Sequence, residues 1–243
     1  MSKKAANIAI YGGTFDPFHN GHLRMAIEAR EILGLDTVFL IPSANPPHKP
    51  LQPMADAKHR LEMVRAAVAE VAGLEVLDLE LRRVGPSYSF QTVTEIKKDR
   101  PEAEILFLIG ADAFSEITSW HRWRDLLTEC DFLLLPRIVA PPELPFRPEL
   151  SFPPGVQLEP EESRCYSLGK IAEGLKYKVS LSDNTEGSSY RLPGGRRVLC
   201  PRLPVLDISS RSIREKVKLG KSIRGLVAPE VERYIAEHGL YSD

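Results

Sequence analysis

NIAIYGGTFDPFHNGHL, from Asn7 to Leu23, reads as a strand, a tight turn and the start of a helix in immediate succession. The apolar run Ile8-Ala9-Ile10-Tyr11 meets Gly12 and Gly13, passes through Thr14, Phe15, Asp16 and Pro17, and reaches His19 and His22 as a helical pattern opens. Helix N-termini carry unpaired N–H groups and the positive end of the backbone dipole, and glycines let main chain approach an anion closely. The stretch therefore suits phosphate. His19 and His22 are three apart, so within a helix they share a face. Zinc competes for such a pair, but two histidines without a third nearby ligand make a poor zinc site. Imidazoles beside a helix dipole donate well to a charged phosphoryl transition state, so the reading adopted has no direct protein ligand to a metal.

Outward from this stretch, apolar residues at Leu23, Ala26, Ile27 and Ile32 predict a one-faced helix that Gly34 terminates. A β-branched, apolar strand follows at 37–41 and ends in a proline-rich loop that carries His48 and Lys49. Helical spacing returns over 55–71, and the alternation of Leu77, Leu79 and Leu81 with Asp78 and Glu80 predicts a strand with one wetter face. Ser87-Tyr88-Ser89 precedes a helix over 90–98, and the nearly all-apolar run 104–109 is a strand of the kind a parallel sheet buries on both faces. Gly110-Ala111-Asp112 stands just past it. Ser119 to Trp123 opens another short helix, and Phe132 to Leu135 is a fifth strand stopped by Pro136. This alternation predicts an α/β fold, a Rossmann-like, doubly wound, mostly parallel sheet. Over 137–202 the pattern dissolves among prolines, which predicts an irregular insertion before the last strand, folded back as small surface strands or in part mobile. That last strand is expected at 203–208, followed by a helix from Ser209-Ser210 to Lys218 and a final one from Pro229 to before Gly239. The whole, 1–243, is read as a single domain bearing the insertion.

Composition narrows the partners. Lys+Arg number 32 and Asp+Glu 33, a formal net charge of -1, so neither nucleic acid nor an anionic membrane is indicated as a bulk partner, and anion binding must be local. Cys130, Cys165 and Cys200 are far apart and odd in number, which suits reduced thiols better than a disulfide framework or a zinc site. No apolar run approaches membrane-spanning length, so a soluble, cytoplasmic protein is expected. A homo-oligomer is compatible with the sequence.

In doubly wound sheets ligands bind beyond the carboxyl ends of the strands, where the strand order reverses. The candidate residues fall there: Gly12 to His22 after the first strand, the loop with His48 and Lys49 after the second, Gly110 and Asp112 after the fourth, and Ser209 to Arg214 after the last. The ligand this set suits is a polyphosphate, with Asp112 available to accept from ribose hydroxyls. Ser209 or Ser210 can cap its helix or donate to phosphate, and Arg214 can pair with a surface carboxylate or with a ligand.

GGTFDPFHNGHL resembles the T-x-x-P-x-H-x-G-H signature of the nucleotidylyltransferase superfamily, and ISSRSIR resembles its I-S-S-[ST]-x-[IL]-R motif. With IPSANPPHKP, RVGPSYSFQTVTEI, FLIGADAF and SWHRW in order and at similar separations, the chain is similar to the bacterial nicotinate-nucleotide adenylyltransferases, outside its middle. The resemblance implies transfer of AMP from ATP to nicotinate mononucleotide, releasing pyrophosphate, with Mg²⁺ accompanying ATP. It further implies that His19, His22 and Arg214 are catalytic, His22 acting most directly and Arg214 with Ser210 holding the β- and γ-phosphates. Gly12, Gly13, Thr14, Phe15, Gly110, Asp112 and Ser209 would bind ATP. His48, Lys49, Tyr88, Ser89, Trp120 and His121 would bind the acceptor, Trp120 by stacking on the pyridine ring and backbone near Ser89 and His121 by receiving its carboxylate. Trp120 read without the family is a residue packing a helix to the core, the role expected of Trp123. Ser43-Ala44 departs from the family's usual amide-bearing pair, and Arg211 stands where a small hydroxyl residue is common. Nicotinamide mononucleotide or phosphopantetheine as acceptor, and a non-catalytic nucleotide-binding module, are the competing readings.

Overall fold

The apolar residues after Asn7 form β1 (Asn7–Gly13), the strand on which the sheet turns. The computed structural model describes residues 6–47, 55–136, 152–160, 166–167 and 186–242. After β1 come α1 (Asn20–Ile32), β2 (Thr37–Pro42), α2 (Ala57–Val68), β3 (Leu74–Val76), α3 (Leu79–Arg82), α4 (Ser89–Asp99), β4 (Glu104–Gly110) and α5 (Ala111–Ser115). A 3₁₀ turn (Ile117–Ser119), α6 (Trp123–Glu129) and β5 (Asp131–Leu135) follow, then the short β6 (Glu159–Pro160) and β7 (Tyr166–Ser167). The chain closes with β8 (Glu186–Arg191), β9 (Arg197–Pro201), α7 (Ser210–Lys218) and α8 (Pro229–Glu237).

Among the described residues the sheet runs β3-β2-β1-β4-β5-β9-β8-β6, with β7 also on β8. β3 through β9 in that order are parallel, and β8, β6 and β7 add an antiparallel edge. Beyond their first residues the central strands β1, β4 and β5 carry no charged or amide side chain, because both faces are covered. From β1, Ala9 and Tyr11 face one core with α1, α2, α7 and α8, while Ile8 and Ile10 face a second core with α4 and α6. β4 divides likewise, Leu106 and Leu108 against Ile105, Phe107 and Ile109. The doubly wound parallel reading thus holds, and β1 and β4 lie side by side where the strand order reverses.

Three local expectations are corrected. The third strand lies at Leu74–Val76, not over 77–81. Leu77 N still donates to Leu40 O at 3.0 Å, after which the chain coils into α3 because Glu80 turns inward, its Oε1 accepting from Thr92 Oγ1 at 2.7 Å. The alternation in Leu77-Leu79-Leu81 thus reflects Leu77 and Leu79 packing against the second core rather than a pleat. The last parallel strand is β9, inside the stretch assigned to the insertion, and 203–208 forms no strand. Asp131 Oδ1 accepts from Arg197 N at 2.9 Å and starts β9 beside β5, whereas Pro204 removes a donor that a strand at 203–208 would need. Finally, Ser119–Arg122 precede α6 rather than opening it, with Arg122 left-handed at φ 54°.

Cys130 is a free, buried thiol and Cys200 is buried; Cys165 lies outside the described residues. Among those residues no helix is long and apolar enough to cross a membrane.

Candidate active site

A cleft of about 790 Å³ opens at the carboxyl ends of β1 and β4. Gly12, Gly13, Thr14, Phe15, His19, His22, Gly110, Asp112, Ser209, Ser210 and Arg214 all line it, as do Tyr88, Ser89, Trp120 and His121. His48 and Lys49 lie outside the described residues, although Pro46 and Pro47 just before them reach the cleft. Gly13 is required by shape. A Cβ there would stand 2.6 Å from the ring of Phe15, and that ring is fixed in the core, 3% exposed, against Tyr11 and Phe18. Phe15 itself takes φ 50°, the left-handed conformation that turns the chain from β1 toward α1.

The helix begins earlier than the apolar pattern indicates, at Asn20, and the two histidines are its cap. His19 Nδ1 accepts from His22 N, and His22 Nδ1 accepts from His19 N, both at 3.3 Å. This is a reciprocal capping box built from imidazoles in place of hydroxyl and carboxylate. Because both Nδ1 atoms accept, a neutral ring carries its proton on Nε2, and each histidine retains one directed N–H donor. The rings stack with centroids 3.6 Å apart. Phe18 stacks on His22 at 5.3 Å and Phe15 meets it edge-on at 5.1 Å, so His22 is locked by aromatic packing as well as by the cap.

Opposite the histidines, Ser209 caps α7, its Oγ accepting from Ser212 N at 3.1 Å. Ser210 Oγ donates to Pro17 O at 3.0 Å and Arg214 Nη1 to Asp16 O at 2.6 Å, which ties α7 to the β1 turn. Arg211 instead pairs with Glu215 at 3.0 Å on the exposed face of α7 while reaching the rim of the cleft.

Two residues that sequence reasoning did not assign hold this geometry. Asp16 is a buried carboxylate: Oδ1 accepts from Tyr241 Oη at 2.7 Å and from Ala55 N at 3.1 Å, and Oδ2 lies 3.5 Å from Arg214 Nη1. Arg60, on α2, is 2% exposed. Its Nη1 donates to Thr14 O and Ser43 O, each at 2.6 Å, Nη2 to Ala44 O at 3.2 Å and Nε to Ala55 O at 3.0 Å. One guanidinium thus joins the loops after β1 and β2 to the start of α2. Burial pulls it below the ordinary arginine range, and Asp16 opposes that shift most among the neighbouring charges. A signal existed in the sequence: Arg60 shares the apolar face of α2 with Val64 and Ala67, where a charge is out of place unless partnered.

At the other end of the cleft, Tyr88 stacks on His121 with centroids 4.2 Å apart. Ser87 Oγ accepts from Ala44 N at 3.0 Å and Asn45 N at 3.2 Å, fastening the turn before α4 to the loop after β2. Trp120 packs against the second core and still lines the cleft; Trp123 packs against the same core and is not part of the lining. The core-packing role is thus seen for Trp120, which also has a face on the cleft. A Cβ on Gly110 would stand 2.5 Å from Asp112 Oδ1, so that carboxylate folds back over the end of β4.

A parallel sheet with a glycine turn and a histidine-capped helix at its switch point defines a nucleotide-binding α/β protein of the nucleotidyl-transferring class, and the family profile described as Cytidylyltransferase-like matches residues 10–216. A Pelobacter propionicus protein named "Probable nicotinate-nucleotide adenylyltransferase" is 37% identical over 236 residues, 97% of this chain and 98% of the relative. A Pseudomonas entomophila protein of the same name is 39% identical over 235 residues, 96% and 94%. The chain belongs to the nicotinate-nucleotide adenylyltransferase family. In fold it is similar to the Plasmodium falciparum nicotinic acid mononucleotide adenylyltransferase solved in complex with NaAD, with a TM-score of 0.66, 17% identity and coverage of 97% of either chain.

Proposed function

We propose that the protein transfers the AMP of ATP to the 5′-phosphate of nicotinate mononucleotide, giving nicotinate adenine dinucleotide and pyrophosphate, a step of NAD biosynthesis. The observation that carries this reading is the meeting, in one cleft, of the stacked His19–His22 cap, the Arg214 guanidinium and an aromatic far end made by Trp120, Tyr88 and His121. An oxygen of the acceptor phosphate bonds to the α-phosphorus, and the bond from that phosphorus to the bridging oxygen breaks, its electron pair leaving with pyrophosphate. The attacking phosphate is already anionic, so no general base is required. Catalysis then reduces to in-line alignment and neutralisation of charge.

His22 and His19 donate Nε2–H to the α-phosphate as charge builds there, and Arg214 with the backbone N–H of Ser210, at the start of α7, grips the β- and γ-phosphates. Gly12, Gly13, Thr14, Phe15, Gly110 and Ser209 shape the nucleotide side, and Asp112 accepts from ribose hydroxyls. Trp120 supplies a face for the pyridine ring, flanked by Tyr88, with backbone near Ser89 and His121 receiving its carboxylate. The donor set of imidazole, guanidinium, hydroxyl and backbone N–H fits phosphate oxygens rather than a cation, so Mg²⁺ enters with the triphosphate. It supplies further neutralisation of the phosphate charge.

The test is pyrophosphate release from ATP and Mg²⁺ with each acceptor offered in turn. Turnover highest with nicotinate mononucleotide is expected. Preference for phosphopantetheine, or no release with any acceptor by folded protein, overturns the reading.

A further inference from the structure

We propose that Tyr241 and Asp16 act together as a positioning pair for Arg214, so that the C-terminal segment sets the affinity of the triphosphate site. The inference rests on the reading of Arg214 as a phosphate-binding residue. Arg214 lines the cleft, and its contacts to the protein use one nitrogen: Nη1 donates to Asp16 O at 2.6 Å and lies 3.5 Å from Asp16 Oδ2. That leaves the Nε and Nη2 donors for a ligand, in the fork that suits phosphate oxygens. Where the fork points depends on where Asp16 points.

Asp16 is 3% exposed, and its two oxygens divide the work. Tyr241 Oη and Ala55 N fix Oδ1, at 2.7 and 3.1 Å, which turns Oδ2 toward the guanidinium. Oδ2 has no hydrogen bond of its own, and the ion pair with Arg214 offsets the cost of burying it. Tyr241 reaches this position from the far end of the chain. It lies just past α8 at φ 65°, a left-handed conformation that an aromatic residue seldom adopts. Burial and, next, the neighbouring Asp16 push its phenol up, so the hydroxyl remains a donor at any working pH. Arg60 completes the balance of charge around the carboxylate. Without the phenol hydroxyl, Oδ1 keeps a single donor, the carboxylate gains rotational freedom, and the guanidinium loses its fixed edge.

The variant is Tyr241→Phe, which retains the ring and removes the hydroxyl, with Asp16→Asn as a second. Both are measured for KM of ATP, KM of the acceptor, kcat, thermal midpoint and equilibrium binding of ATP. Loss of one hydrogen bond predicts an ATP KM and Kd raised by about 3- to 10-fold in Tyr241→Phe, with the acceptor KM within about 2-fold of wild type. In an Arg214→Ala background the same change should leave ATP affinity unaltered, because the effect passes through Arg214. A lowered midpoint with unchanged ATP affinity, or an equal loss of affinity with and without Arg214, overturns the proposal. ATP binding by wild-type protein without turnover would instead count against the proposed reaction, and the binding cycle would still decide the positioning role. Should Tyr241→Phe not fold, Asp16→Asn in the presence and absence of Arg214 decides it by the same comparison.

Discussion

Replacing Arg60 by methionine removes the guanidinium and keeps an unbranched, helix-favouring stem on α2. Four backbone carbonyls, of Thr14, Ser43, Ala44 and Ala55, lose their donor, and Asp16 loses one of its two neighbouring cations. Removing one member of a buried charge network typically costs about 3–5 kcal/mol, because the partners are left desolvated. Water entering from the adjacent cleft restores part of the bonding to Thr14 O and Ser43 O, which favours the lower half of that range. For a chain of this size, about 3 kcal/mol corresponds to a thermal midpoint lower by roughly 6–12 °C. Function should suffer more than stability indicates, since Arg60 joins the loop that bears the histidines to the loop after β2. Differential scanning calorimetry, with steady-state kinetics well below the midpoint, measures both effects. An Arg60→Met protein within about 1 kcal/mol of wild type, with unchanged KM for both substrates, refutes the idea that this residue fixes the two loops.

His22→Ala should lower kcat by about 10²- to 10³-fold, the scale for one preorganised donor, while loss of its share of the α1 cap costs about 1 kcal/mol of stability; rapid-quench turnover and urea unfolding separate the two. Trp120→Ala should raise the KM of the acceptor more than that of ATP, and an equal effect on both would contradict stacking on the pyridine ring. Burial raises the Asp131 carboxyl from its ordinary 3.8, with the Arg197 backbone bond opposing. Its native state thus binds the proton more tightly than its unfolded state, and the associated stability is present below 3.8 and lost as pH rises through the raised native value. Asp131→Asn keeps an acceptor for Arg197 N–H, so its stability relative to wild type should rise across that window, as pH-dependent unfolding would record.

Where a strand is buried on both faces its identity is legible, because a short, β-branched and apolar run such as Ile105–Ile109, bounded by Glu104 and Gly110 and set between helical patterns, suits a strand covered on both faces. The glycine turn and the paired histidines after β1 were equally legible, since a strand that turns sharply into a helix restricts residue choice there. Edge elements were not. Leu77 to Leu81 carries a strand-like alternation although Glu80 faces inward, and that inversion depends on Thr92, which is distant in sequence. β9 was hidden among prolines, because its place beside β5 depends on Asp131 accepting from Arg197 N. The same limit applies to the site. His19 and His22 could be read as a pair on a helix face, but their mutual capping, the aromatic lock on His22 and the clamps made by Arg60, Asp16 and Tyr241 arise only from tertiary contact.

The central claim is that the α-phosphoryl group moves to the acceptor. Parallel reactions with α-³²P and γ-³²P ATP and nicotinate mononucleotide, resolved by chromatography, test it directly. The account predicts α label in the dinucleotide and γ label in pyrophosphate; γ label on the acceptor, or no label transferred by folded enzyme, would contradict it.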